Sequence, residues 1–241
     1  MSNDRRNYRK NQGYEPGVIL ADLCRVRSAE PESLGLAREI RTDREAQSLA
    51  AWFDDRGLLA IRDTPPQIDA LTGGEHFVEL AEDTGLVFKS TKPGKFGFGI
   101  GTEMVRDKTR RKPPRITAGL MDATPQEYLA RLSWQNTLFG DSWLVLGAVK
   151  YPAGLSILTT QPFVRGERTE QADIQEWFEL FHWRSLKDKD GAFYHPSHDL
   201  LILDALPRNV LTRPDGSIFP FDVVIVRPNN DLKWSLGLAP T

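Results

Sequence analysis

The spacing of apolar residues changes several times along the chain, and each change marks an element. Over Thr42–Arg56, Ala46, Leu49, Ala50 and Phe53 recur three and four residues apart, which predicts an amphipathic helix. Thr42 or Asp43 would cap it, Glu45 stands where a capping box with Thr42 needs it, and Gly57 ends it. From Gly73 the period shortens to two. His76–Leu80 alternates, and Gly85–Ser90 follows the turn-forming run Glu82-Asp83-Thr84-Gly85, so a hairpin is expected. Residues 92–118, rich in glycine and basic side chains and carrying Pro113-Pro114, read as a long loop with room for short strand pieces. Thr124–Gln135 has the clearest helix signature: Thr124 as N-cap, Pro125 in the first turn, Glu127 in the capping-box position, and Tyr128, Leu129 and Leu132 on one face.

Trp143–Val149 and Leu155–Thr160 read as strands flanking the turn Tyr151-Pro-Ala-Gly154. Ile174–Phe181 reads as a helix. Leu200–Leu203 and Ile218–Val226 read as strands, with a turn at Pro214-Asp-Gly216 between them. Asn229–Thr241 is a polar tail that Trp234 and Leu236 could pin down. Hairpins and helices follow one another without a βαβ alternation, which predicts an α+β fold.

Composition narrows the function classes. The 241 residues are 40% hydrophobic and 27% charged, with a formal net charge of −2. That suits one domain with an extension, or two small lobes, and gives no global basic field to draw nucleic acid or anionic membrane. The single cysteine, Cys24, cannot form an internal disulfide and is expected as a small buried apolar residue. Residues 1–16 form a polar arm with Arg5, Arg6, Arg9 and Lys10, expected to be weakly ordered and lacking the apolar core of a signal peptide. With no run of 18 apolar residues, a cytoplasmic protein without a membrane partner is expected.

The chemistry concentrates near the C-terminal end. Leu200-Leu-Ile-Leu-Asp-Ala-Leu-Pro-Arg-Asn209 places Asp204 at the end of an apolar strand and Asn209 five residues later. Asp222 follows in Phe219-Pro-Phe-Asp-Val-Val224. Phosphoryl transfer needs such a set: one carboxylate to orient the acceptor hydroxyl, and an amide oxygen plus a second carboxylate to hold a magnesium ion on the nucleotide phosphates. Upstream, Gly85-Leu-Val-Phe-Lys-Ser90 puts Lys89 at a strand end, where a lysine can pair with those phosphates. Glu127, on the Thr124 helix, is the candidate to fix Lys89. Gln161 and Phe163, in Thr160-Gln-Pro-Phe163, lie where a connection between lobes would meet the adenine ring, and Arg208 could supply phosphate-binding charge.

These pieces, with Gly73-Gly-Glu-His-Phe-Val-Glu-Leu80, Ala123-Thr-Pro-Gln-Glu-Tyr-Leu-Ala-Arg-Leu132, Gln135-Asn-Thr-Leu-Phe-Gly-Asp141 and Thr159-Thr-Gln-Pro-Phe-Val-Arg-Gly166, resemble the kinase domain of phage and mobile-element polyvalent proteins over roughly residues 45–227. The resemblance implies a reduced two-lobed protein-kinase-like fold: an antiparallel N-lobe sheet with one helix at about 71–160, and a minimal C-lobe at about 161–227. Residues 1–41 would be an extension and residues 228–241 a tail. It also implies ATP- and magnesium-dependent phosphotransfer to an unidentified acceptor.

The chain departs from ordinary kinases. Leu71-Thr-Gly-Gly-Glu75 replaces a glycine-rich G-x-G-x-x-G loop, while Gly94, Gly97, Gly99 and Gly101 follow Lys89 and could form a flap over phosphates. Ile202 and Leu206 stand where a catalytic histidine and lysine are usual, and only nineteen residues follow Asp222. Three alternatives therefore stand beside a kinase: a pseudokinase-type nucleotide-binding module, an AMP transferase, and a nucleic-acid-binding accessory protein using the basic strip at 106–115. His195-Pro-Ser-His198 reads as a polar loop with surface histidines rather than a metal site.

Overall fold

The computed structural model describes residues 13–27, 38–65, 74–105, 115–187 and 189–238. Among them are five helices and fourteen strands in four sheets, a mixed α+β architecture without a barrel. The chain forms two compact units. One comprises the described residues up to Gly97 together with Ala123–Phe163; the other comprises the described residues of Phe98–Asp122 and those from Val164 onward.

The first unit holds helices α1 (Pro16–Arg27), α2 (Arg38–Asp54) and α3 (Pro125–Phe139). Its sheet contains β1 (Leu59–Ile61), β2 (His76–Ala81), β3 (Leu86–Thr91), β6 (Leu144–Tyr151) and β7 (Gly154–Pro162), in the order β1-β6-β7-β3-β2. The pairings β2–β3, β3–β7 and β6–β7 are antiparallel, as hairpin-forming sequences give; β1 runs parallel to β6, which the expectation of a wholly antiparallel sheet lacked. The core joins the inner faces of all three helices to the sheet through Ile19, Leu49, Phe53, Leu129, Val145 and Ile157, all fully buried. The hairpin turn between β6 and β7 packs tightly on the segment after β3: Gly94 N–H donates to Leu155 O at 2.9 Å, and a Cβ on Gly154 would lie 2.6 Å from Gly94 Cα.

The second unit opens with the ribbon β4 (Phe98–Val105) and β5 (Arg115–Asp122). Helix α4 (Gln171–Leu180) follows β8 (Glu167–Arg168). One sheet orders β14 (Val224–Val226), β11 (Leu200–Leu203), β10 (Phe193–His195) and β9 (Arg184–Ser185); another orders β13 (Ile218–Pro220), β12 (Val210–Thr212) and β8. Helix α5 (Asn230–Ser235) is capped by Asn229, whose side chain accepts from Leu232 N–H. Its Leu232 and Leu236 pack with Tyr194, Leu201, Val224, Ile100 and Ala118.

Several expectations are corrected. Much of the anticipated loop at 92–118 is the β4–β5 ribbon, because glycine does not prevent strand pairing when every residue from Phe98 to Val105 finds a cross-strand partner. Gly99 and Gly101 are paired within that ribbon, while Gly94 and Gly97 precede it. The helix expected from Thr42 starts at Arg38, and Thr42 sits inside it with its hydroxyl donating to Arg38 O. Ile218–Val226 splits into β13 and β14, which join different sheets. In the C-terminal tail, helix α5 is pinned by Leu232, Lys233 and Leu236, while Trp234 is exposed. Cys24 is exposed, not buried. Residues 1–12 of the arm expected at 1–16, and most of the basic strip (106–114), lie outside the described residues, while Tyr14 of that arm pairs with Val145 and Pro16 opens α1.

Gly154→Ala is expected to destabilise the protein by about 1–3 kcal/mol, because its φ of 129° and the backbone 2.6 Å away leave no place for a Cβ. Denaturant unfolding of the variant within 0.5 kcal/mol (about the scatter of neutral surface changes) of wild type would show that the turn relaxes freely.

Candidate functional site

In the first unit, Lys89 lies on β3, where alternation turns Val87, Lys89 and Thr91 to the buried face. Cross-strand register sets Thr159 opposite Lys89 and Gln161 opposite Val87. One face thus brings the buried Lys89, Thr159 and Gln161 close together. The Lys89 ammonium lies 4.7 Å from the ring centroid of Trp143, a cation–π distance. Asn136 of α3 holds Trp143 in place, its side chain bonding both Trp143 N–H (2.8 Å) and Trp143 C=O (3.0 Å). Gln161 is 5% exposed, and its Oε1 is buried with no hydrogen-bond partner among the described residues. Phe163 is half-exposed, its N–H donating to Gly85 O.

Glu127 does not serve Lys89. Its Oε2 accepts from Thr124 N–H at 3.0 Å, closing the capping box, and its carboxylate pairs with Arg38 and Arg41 of α2. The expected role is corrected for a physical reason: at the third position of a capped helix, a glutamate is already aimed at the helix N-terminus. Burial opposes the charge of Arg41, yet the bonds and charges of Glu45 and Glu127 outweigh it and raise its pKa above the ordinary arginine value. Glu45, expected to cap its own helix, is buried and caps α3 instead by accepting from Gln126 N–H. Helix α3 is further tied to the sheet by Arg131–Glu75 at 2.9 Å and by His76 Nε2 with Tyr128 OH at 3.1 Å. Sequence reasoning missed these pairs, since partners 56 and 52 residues apart leave no local signal.

In the second unit, register brings the three oxygen-bearing residues to one place. Leu203 of β11 is opposite Val224 of β14, so the next residue, Asp204, and Asp222, two before Val224, emerge at the same end of that ladder. Val210 is opposite Pro220, and Phe221 N–H donates to Asn209 O at 3.0 Å, which sets Asn209 beside Phe221-Asp222. Asn209 Nδ2 donates to both Asp204 O (2.8 Å) and Asp204 Oδ2 (2.7 Å). With both amide hydrogens committed, the amide orientation is fixed and Oδ1 is turned away from Asp204. Arg208 pairs with Asp204 Oδ1. Asp204 itself has φ of 60°, an uncommon conformation for a residue with a side chain.

The histidines differ from expectation. His195 is buried on β10, while His198 is exposed. His195 Nδ1 accepts from His198 N–H at 3.3 Å. Among the described residues no three His, Cys, Asp or Glu side chains converge as a metal site; the set at Asp204 and Asp222 differs in depending on the amide of Asn209. No protein-family model, curated protein or solved structure matches this chain.

Burial first, then the nearby His198 and His182, lower the pKa of His195, against opposing backbone hydrogen bonds. The native state then stays neutral where the unfolded chain is protonated. The contribution is therefore complete above about pH 6.5 and is lost as pH falls from there toward the folded-state pKa. Wild-type stability is expected to drop more steeply than that of His195→Gln between about pH 7.5 and 5.5. Parallel pH profiles from denaturant unfolding would contradict this.

Proposed function

We propose that this chain is a kinase-like phosphotransferase with a reduced two-lobed protein-kinase-like fold, using ATP and magnesium, as its resemblance to the polyvalent-protein kinase domain implies. The observation that carries the reading is the meeting of Asp204, Asn209 and Asp222 through the β11–β14 and β12–β13 registers. Residues scattered over nineteen positions become neighbours with hard oxygen donors, the chemistry magnesium prefers.

Each unit, taken by itself, carries donors that suit these groups. Asn209 Oδ1 and Asp222 would hold the magnesium ion, which supplies neutralisation of phosphate charge. Lys89 would hold nucleotide phosphates, the buried orphan oxygen of Gln161 would accept from a donor on the base, and Phe163 would contribute apolar surface. Asp204 orients the acceptor hydroxyl and takes its proton. As the acceptor oxygen bonds to the γ-phosphorus, the bond to the bridging oxygen breaks and ADP departs. Arg208 occupies one Asp204 oxygen in the structure, so it must swing aside, and its guanidinium is then available to the transferred phosphoryl group.

A second reading has its own observation. Both Asp204 oxygens are bonded, one to Arg208 and one to Asn209, and Glu127 is bonded to α2 and its own cap. A pseudokinase-type module that binds nucleotide without turnover would tolerate both.

Incubation with magnesium and ATP labelled at the γ- or α-phosphate separates the readings. Label moving from the γ-position is expected, with Asp204→Ala retaining nucleotide affinity and losing transfer by roughly a hundredfold or more. Asp222→Ala and Lys89→Ala are expected to weaken magnesium–ATP binding. Binding with no transfer selects the pseudokinase, α-label selects AMP transfer, and equal nucleotide affinity in wild type and Asp222→Ala rejects the site.

A further inference from the structure

Helix α4 presents two apolar stripes, and only one belongs to the core. Ile174 and Phe178 are fully buried, with the Phe178 ring stacked on Phe193 at 4.4 Å and edge-on to Trp183. The other stripe points outward: Leu180 is 72% exposed and Phe181, the C-cap residue, 52%. Trp177 stands at their i−3 and i−4 positions, its ring 5.0 Å from that of Phe181. A leucine and a phenylalanine side by side in water, buttressed by a tryptophan, cost solvation free energy that the fold does not recover.

The charged side chains of the helix itself share one sign, while the exposed Arg184 follows the helix on β9. Asp173 and Glu176 precede Trp177 and Leu180 by four residues each, so they lie on the same helical face. Both are exposed, as are Glu170 before the helix and Glu179 within it. The last turn carries no basic residue, so the helix C-terminus, with its partial negative charge, adds to the same field. An apolar anchor site bordered along its helix by Asp173 and Glu176 disfavours nucleic acid and anionic lipid there. It also disfavours a second copy docking α4 against α4, which would set Asp173 and Glu176 against themselves.

We propose that the outward face of α4, centred on Leu180 and Phe181 and bordered by Asp173 and Glu176, is a docking surface for a cationic amphipathic peptide segment of a partner protein. Its apolar side chains cover Leu180 and Phe181, and its lysines or arginines meet the carboxylates. The spacing 173, 176, 177, 180 is that of a helix presenting one face to one partner. This surface is independent of the phosphotransfer reading and can fail or stand without it.

The test uses the whole 241-residue chain and a fluorescein-labelled helical peptide of alternating lysine and leucine pairs, read by fluorescence anisotropy, beside its glutamate-for-lysine counterpart. Saturable binding of the lysine peptide alone is expected, weakening as salt rises. The double variant Leu180→Ser, Phe181→Ser is expected to lose roughly tenfold or more in affinity, as hot-spot truncation does. The double variant Asp173→Asn, Glu176→Gln is expected to lose affinity and its salt dependence together. Matching circular dichroism and unfolding midpoints establish that the variants fold. Equal lysine-peptide affinity in wild type and the folded Leu180→Ser, Phe181→Ser variant overturns the proposal. So does equal binding of the glutamate peptide, or concentration-dependent self-association that this variant abolishes.

Discussion

The first unit depends on how the N-terminus of α3 is satisfied. A helix start exposes backbone N–H groups and a partial positive charge, and here two carboxylates answer it. Glu127 closes the box with Thr124, and Glu45 reaches in from α2 to Gln126 N–H. Two adjacent carboxylates need cations, and Arg38 and Arg41 supply them. That one cluster fixes α2 against α3. It thereby sets the rotation of α3 that lets Tyr128 reach His76, Arg131 reach Glu75 and Asn136 clamp Trp143 beneath Lys89. The lysine on the sheet is placed by the helix without being bonded to its glutamate.

The second unit is governed by register instead. Its strands are two to four residues long apart from the β4–β5 ribbon, so little of its precision comes from extended pairing. The precision comes from where ladders end. β11 stops at Leu203 because Asp204 turns into the left-handed region, and Asn209 ties the backbone and the carboxylate of Asp204 together. Lys233 of α5 similarly binds Asp199, the residue that ends the turn into β11, and Tyr194 OH adds a second bond to it. Desolvation would raise the Asp199 pKa, but these two donors and the Lys233 and Arg227 charges hold it below the ordinary carboxylate value.

What the sequence revealed follows from range. Leu200–Leu203, the Asp204–Asn209 frame and the Thr124 cap are local patterns, and the structure forms each where spacing placed it. The two readings of Glu127, capping its own helix or fixing Lys89, both start from a glutamate on the Thr124 helix. Choosing between them required knowing that Arg38 and Arg41 stand opposite, which is a fact about α2 packing, not about the α3 sequence. The ribbon at Phe98–Asp122 was hidden because Gly99, Gly101 and Gly119 break the alternation that marks a strand, while pairing itself requires only backbone.

Asp204 gives the firmest physical reason to look for chemistry here. A left-handed φ at a residue with a side chain costs of order 1 kcal/mol or more, and persists only where the surroundings enforce it. Leu206 N–H and Asn209 Nδ2 both donate to Asp204 O, while Gly191 O receives Ala205 N–H next door, so the turn is held from both sides. Glycine would make the same turn without strain. A carboxylate in that place keeps its oxygens beside Arg208 and Asn209, with Asp222 delivered to the same ladder end. Asn209 already serves the turn by bonding Asp204 O, but connecting β11 to β12 calls for neither the cation of Arg208 nor the carboxylate of Asp222. The same unit holds a second such corner at Asp199, with φ of 51° and bonds from Tyr194 and Lys233, so what distinguishes Asp204 is that an amide and a second carboxylate, Asn209 and Asp222, come to the same ladder end.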